Sequence, residues 1–308
     1  MKVADLVAGA TLAAALADGL CYRAGPFWVR LRTRDAPLAD LFGTLYADAD
    51  CDPGEPVVQF DVWVGATGGL RRWWRPQAQF YIDNVAPFEP YPLSQSFPLF
   101  EWGLNWCIAI RAHQYLMLHA AVVERDGAAL ILPAVPGSGK STLCTALAFR
   151  GWRLLSDEFG LVSLAHSGIV PLPRAVPLKN ASIEVIRSFA PQACIGPVFP
   201  KTRKGDVAHV RPPHDSLLRQ SESAQPCWIL FPRFAPGVPA RLQPLPQSMA
   251  FTRLSQNSFN YRMLGETGFR HLVELIRSCR CYSLDYGDLE AAVRIIDEVT
   301  RDGPRGGL

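Results

Sequence analysis

Ala128-Ala129-Leu130-Ile131-Leu132-Pro133-Ala134-Val135-Pro136-Gly137-Ser138-Gly139-Lys140-Ser141-Thr142 is the stretch from which the fold of this chain can be read. Residues 128–132 are wholly apolar, as suits a short strand buried on both faces of a sheet. A glycine-containing loop follows, and residues 141–150 read as a helix stopped at Gly151. Gly137 and Gly139 let the backbone turn its N–H groups inward on an anion. The helix start adds the positive end of its dipole. In this pattern Lys140 reaches the β- and γ-phosphates of a nucleoside triphosphate, and the Ser141 hydroxyl is a hard ligand for Mg²⁺. The expected phosphate cradle is therefore Pro136, Gly137, Ser138, Gly139, Lys140, Ser141 and Thr142, with ATP and Mg²⁺ as cofactors. Ala134 replaces the first glycine of the full G-x-x-x-x-G-K-S pattern, which a backbone at negative φ tolerates. A surface loop that merely carries G-S-G-K-S-T is the competing reading, and the flanking strand and helix count against it.

Working outward, residues 115–124 read as a strand that turns at Arg125-Asp126-Gly127, and residues 153–156 as a strand leading into Asp157-Glu158. Strand, glycine loop, helix, strand and acid, in that order, describe a nucleotide-binding α/β unit. Phosphoryl transfer to a hydroxyl needs a proton acceptor and a charge to hold the metal. Neighbouring residues of an extended strand point opposite ways, so one carboxylate can face Mg²⁺ and the other the acceptor. An acidic surface turn is the plainer alternative. His119 lies in the apolar run Leu116-Met117-Leu118-His119-Ala120, where the pattern alone fits a core histidine as well as a catalytic one.

The remainder is less decisive. An alanine-rich helix is expected over residues 4–16. Asp5 and Asp18 flank its apolar run, which argues against a signal peptide. Strands are expected over 27–32, 57–64 and 79–83, and a helix over 101–112. Beyond the glycine loop, helices are expected over 181–188, 268–277 and 288–301, and a strand over 228–232. The proline-rich stretch 191–226 reads as loops, and 302–308 as a frayed tail. Two basic runs stand out. Lys201-Thr202-Arg203-Lys204-Gly205 reads as a mobile loop able to close on phosphates or as a solvated face. Arg71-Arg72-Trp73-Trp74-Arg75 reads as a partly buried hairpin end rather than a binding patch.

Composition bounds the function. Hydrophobic residues make up 49% and charged residues 19% of the 308, enough for a large core and contrary to disorder. With 31 Lys and Arg against 28 Asp and Glu, the net charge of +3 gives no basis for nucleic-acid binding. The eight cysteines form no C-x-x-C pair and fit buried reduced thiols of a cytoplasmic protein. No apolar run is long enough for a membrane span.

The residues also carry a resemblance. His119-Ala120, the loop from Ala134 to Thr142, and Arg150-Gly151-Trp152-Arg153-Leu154-Leu155-Ser156-Asp157-Glu158 resemble the P-loop domain of bacterial HPr kinase/phosphorylase. More closely, and over nearly the whole chain, the sequence is similar to the group called HPr kinase-related kinase A. Phe100-Glu101-Trp102-Gly103-Leu104-Asn105-Trp106-Cys107, Leu178-Lys179-Asn180 and Asn257-Ser258-Phe259-Asn260-Tyr261 carry that closer likeness. The resemblance implies an α/β fold of the HPr kinase/phosphoenolpyruvate carboxykinase type with a mixed sheet over residues 113–308, after a strand-rich α+β accessory region over 1–112. By position it implies Asp157 as the base for an acceptor serine with His119 beside it, and Glu158 with Ser141 at the metal. Glu158 stands where the family has a second aspartate, one methylene shorter. Arg174 and Lys179 are candidates for steadying the transferring phosphoryl group, or else an exposed basic loop. Residues 173–180 lack the glycines of the family's R-G-L-G signature, so the reverse, phosphate-dependent reaction is not expected.

The resulting expectation is an ATP-dependent kinase acting on a serine of a small protein or ribosomally made peptide, without nucleic-acid or membrane partners and with homo-oligomerisation left open. A small-molecule kinase and a slowly turning regulatory nucleotide-binding protein are the rivals.

Overall fold

The computed structural model describes residues 1–7, 11–54, 56–69, 73–135, 137–166 and 168–301. The fold is mixed α/β, and the chain forms two compact units. One comprises Met1–Arg111, Arg174–Ile183 and Ala193–Leu218; the other comprises Ala112–Pro173, Glu184–Gln192 and Arg219–Leu308. A single division after residue 112 is thus too simple, because two later segments return to the N-terminal unit. Their apolar residues Val176, Leu178, Val207, Ala208 and Val210 are buried there, a long-range pairing that local periodicity does not reveal.

The second unit is built on an eight-stranded mixed sheet. Its order is Ile169–Val170, Phe159–Ser163, Tyr115–Arg125, Ala128–Pro133, Gln225–Phe234, Arg280–Tyr286 and Arg241–Pro244, with Arg153–Ser156 also paired to Tyr115–Arg125. Gln225–Phe234 runs parallel to both Ala128–Pro133 and Arg280–Tyr286, and the other pairings are antiparallel. All six residues of Ala128–Pro133 are buried, as a run of Ala, Leu and Ile in the centre of a covered sheet requires. Helix Tyr261–Ser278 packs its apolar face on this sheet, placing Leu272, Leu275 and Ile276 with Leu118, Ala120 and Ile131. The helix is interrupted at Gly265, whose φ of 54° and ψ of −127° are not helical. The helix expected over 268–277 is the part beyond this break.

In the first unit a six-stranded sheet has the order Cys51–Asp52, Leu20–Ala24, Phe27–Thr33, Phe60–Ala66, Gln77–Ile82 and Tyr91–Pro92. Tyr22, Phe42, Tyr46 and Phe100 form its aromatic core through edge and stacked contacts. Within the expected N-terminal helix, Val3–Val7 and Thr11–Asp18 are helical, and residues 8–10 lie outside the described residues. Stretch 191–226 is not all loop. It holds strands Phe199–Thr202 and Gly205–Val210, which pair with each other and, through the latter, with Val176–Lys179, and a short helix His214–Leu218. The basic run at 201–205 is the turn of that hairpin. The Arg203 guanidinium lies 4.5 Å over the Tyr91 ring and the Lys204 ammonium 5.1 Å over Trp102, cation–π contacts that pin it. Arg71 and Arg72 lie outside the described residues, while Trp73 and Trp74 are exposed rather than partly buried. No helix among the described residues is long and apolar enough to cross a membrane.

Candidate active site

The glycine loop leaves the end of Ala128–Pro133 and enters helix Lys140–Ala148. Gly137 and Gly139 both have left-handed backbone, with φ of 87° and 85°. Gly139 is further constrained by space, since a Cβ there would lie 2.4 Å from the Tyr286 hydroxyl. That hydroxyl donates to the Gly139 carbonyl at 3.2 Å, and the Phe234 N–H donates to the Ser138 carbonyl at 3.1 Å. The ends of Gln225–Phe234 and Arg280–Tyr286 thus hold the loop from one side. Neither Tyr286 nor Phe234 stands out in sequence, because only the parallel pairing brings them to this edge.

On the other side, strands Arg153–Ser156 and Phe159–Ser163 run antiparallel along Tyr115–Arg125, and the ladder is interrupted at Asp157-Glu158. The Phe159 N–H bonds to the Ser156 hydroxyl at 3.1 Å, closing the chain around the two acids. Asp157 is buried and accepts from the Ser141 hydroxyl at 2.8 Å. The buried Lys140 ammonium donates to the Asp157 carbonyl and is 3.9 Å from its carboxylate. Glu158 instead lies 3.4 Å from Nε2 of His119. The resemblance pairs His119 with Asp157 and Ser141 with Glu158; the observed contacts are the reverse. The reason is local geometry. Ser141 and Cys144 share a helix face, being three residues apart. The Cys144 thiol meets the Ser156 carbonyl, so Ser141 meets the next residue, Asp157. Glu158, in the bend between the two strands, faces His119 instead.

His119 is half-buried and held by backbone and ring contacts. Its N–H donates to the Asn257 carbonyl at 2.8 Å, and the Asn257 side-chain amide donates to the His119 carbonyl at 2.9 Å and reaches the Ala134 carbonyl at 3.5 Å. Asn260 clamps the same strand, accepting from the Met117 N–H and donating to the Tyr115 carbonyl. Segment 257–260 therefore lies along residues 115–119, beyond the point where Ala128–Pro133 has departed into the loop. Its Phe259 ring packs on Phe159 and edge-to-face on His119. The positioning role of Asn257 has no local signal; the run Asn257 to Tyr261 drew notice only through resemblance.

The other candidates divide clearly. Thr142 is partly exposed in the first helical turn, and Pro136 lies outside the described residues. Arg174 belongs to the first unit, buried with its guanidinium engaged by Glu101 and Asn105. It is therefore part of that core rather than of an exposed basic loop. Lys179, also in the first unit, ends strand Val176–Lys179 and is partly exposed. Burial, reinforced by the Asp157 carboxylate, pushes the Cys144 thiol well above its usual range, so it stays protonated.

A divalent cation finds two hard oxygen donors here, the Ser141 hydroxyl and the Asp157 carboxylate. Among the described residues no group of three or more His, Cys, Asp or Glu could hold a metal. Mg²⁺ is commonly held by one or two protein oxygens together with substrate phosphates. One edge of the sheet thus carries a cation, a metal-suited oxygen pair and a carboxylate–histidine pair. The chain matches no protein-family model, and no curated protein matches it.

Proposed function

We propose that this chain is an ATP-dependent phosphotransferase of the HPr kinase-like P-loop type, passing the γ-phosphoryl group to a serine hydroxyl of a small protein or peptide. The observation that carries this reading is the meeting of Lys140, Ser141 and Asp157 at the start of one helix, with the Glu158–His119 pair one residue further along. The left-handed glycines and helix start supply N–H groups for phosphate oxygens. Lys140, now on a carbonyl, has a stronger acceptor in a β/γ-phosphate. Mg²⁺, when bound by Ser141 and Asp157, supplies charge neutralisation across the phosphates. In this reading Glu158 accepts the acceptor's proton, supported by its 3.4 Å approach to His119, which would orient the carboxylate. The fold type and the serine acceptor rest on the resemblance in sequence.

The test is transfer of label from γ-³²P-ATP to peptides and small proteins encoded beside this chain, with Asp157→Asn and Glu158→Gln as controls. Label on a peptide serine, lost in both variants, is the expected result. Label on a sugar or nucleoside instead would make it a small-molecule kinase. Tight ATP binding without transfer would leave a regulatory nucleotide-binding protein.

A further inference from the structure

We propose that Phe234 is the platform on which the base of the bound nucleotide stacks; this rests on the nucleotide reading above. The sheet order gives the direction. The loop strand Ala128–Pro133 lies between Tyr115–Arg125, which leads to the acidic pair, and Gln225–Phe234. The γ-phosphate belongs on the side of Asp157 and Glu158, so the nucleoside leaves the loop on the side of Gln225–Phe234. That strand and Arg280–Tyr286 are parallel to the loop strand, and their carboxyl ends share its edge, where ligands of open α/β sheets bind.

Phe234 is the last residue of its strand and is 45% exposed. Its backbone is fixed by the bond to the Ser138 carbonyl and by the following Ala235 N–H, which donates to the Tyr286 carbonyl at 2.9 Å. The turn beyond packs on Gly287, where a Cβ would meet the Ala235 carbonyl at 2.5 Å. The Phe234 ring rests edge-to-face on the buried Tyr286, with centroids 5.5 Å apart. Tyr286 is itself bonded to the glycine loop. An exposed aromatic ring held this firmly beside a phosphate-binding loop suits a flat, apolar ring of the ligand. Phe259, the exposed aromatic on the other side, packs on His119, where a base would compete with the acceptor.

The experiment compares binding of Mg²⁺-ATP and Mg²⁺-tripolyphosphate by calorimetry to the wild type, Phe234→Ala and Phe234→Trp. Phe234→Ala is expected to weaken ATP roughly five- to hundred-fold and leave tripolyphosphate unchanged. Phe234→Trp is expected to bind ATP at least as tightly as wild type. Its added fluorescence, taken as a difference from wild type, should be quenched by ATP and not by tripolyphosphate. Unchanged ATP affinity in Phe234→Ala, or equal loss for both ligands, overturns the stacking role while leaving nucleotide binding intact. A wild type that binds neither ligand overturns the nucleotide reading and this inference together.

Discussion

The Ser141 hydroxyl donates to the Asp157 carboxylate at 2.8 Å, while the adjacent Glu158 faces His119. Under the proposed function, the two neighbouring acids divide into a metal-side group and an acceptor-side group. Asp157→Asn is expected to abolish the Mg²⁺ dependence of ATP binding together with transfer. Glu158→Gln should leave Mg²⁺-ATP affinity near wild type and slow transfer by about 10²–10⁴, the usual worth of a general base. Mg²⁺ titrations and single-turnover transfer separate the two. Retained transfer in Glu158→Gln would return the base role to Asp157.

The two loop glycines should respond differently to alanine. Both pay the strain of a left-handed backbone, about 1–2 kcal/mol, but only Gly139 also meets the Tyr286 hydroxyl. Gly137→Ala should lower denaturant stability by roughly that strain, and Gly139→Ala by more. Adding Tyr286→Phe to Gly139→Ala should recover part of the difference. Equal losses in the two single variants would show that the close approach to Tyr286 does not matter.

Arg153 and Glu124 form an ion pair buried in the second unit, with side chains 3% and 1% exposed. Arg153 also donates to the carbonyls of Arg219 and Glu222 at 2.7 and 3.0 Å, anchoring the strand that delivers Asp157. Arg153→Met leaves the buried Glu124 carboxylate with the Gly127 N–H and the more distant Arg219, 3.7 Å away, and should cost up to about 3–5 kcal/mol. Arg153→Met with Glu124→Gln should cost less than the single change, because the poorly compensated buried charge is gone. Urea denaturation of both variants is the measurement.

His209, in the first unit, is 1% exposed, and among the described residues neither ring nitrogen has a hydrogen-bond partner. Burial, with Arg174, Lys179 and Lys204 adding to it, lowers its pKa from 6.5 to about 3. The unfolded chain therefore takes up this proton first. Stability from the neutral ring is complete above about pH 6.5 and is lost as pH falls toward about 3. At pH 5 the loss should be about 2 kcal/mol, taking 1.36 kcal/mol per pKa unit. His209→Phe should remove this contribution and be neutral or stabilising near pH 7. A variant that loses stability between pH 6.5 and 5 as steeply as wild type would place the proton uptake elsewhere.

Local chemistry made much of the candidate site legible. The apolar run 128–132, the glycines at 137 and 139, and Lys140-Ser141 specify strand, loop and helix by short-range rules of burial, backbone freedom and capping. Asp157 and Glu158 followed because a strand after such a helix returns to the same edge. By itself, then, the sequence determined the α/β character of this region, the loop and the residues that could act there.

Only the tertiary structure decided which residue meets which. Asp157 faces Ser141, and Glu158 faces His119, because helix Lys140–Ala148 lies along strand Arg153–Ser156 with Cys144 against the Ser156 carbonyl. Tyr286, Phe234 and Asn257 reach the loop and the His119 strand across 96 to 147 residues of chain. Arg174 is drawn into a buried pair with Glu101, and segments 174–183 and 193–218 rejoin the N-terminal unit. Such contacts arise from strand order and the closing of long loops, and no nearby periodicity or spacing encodes them.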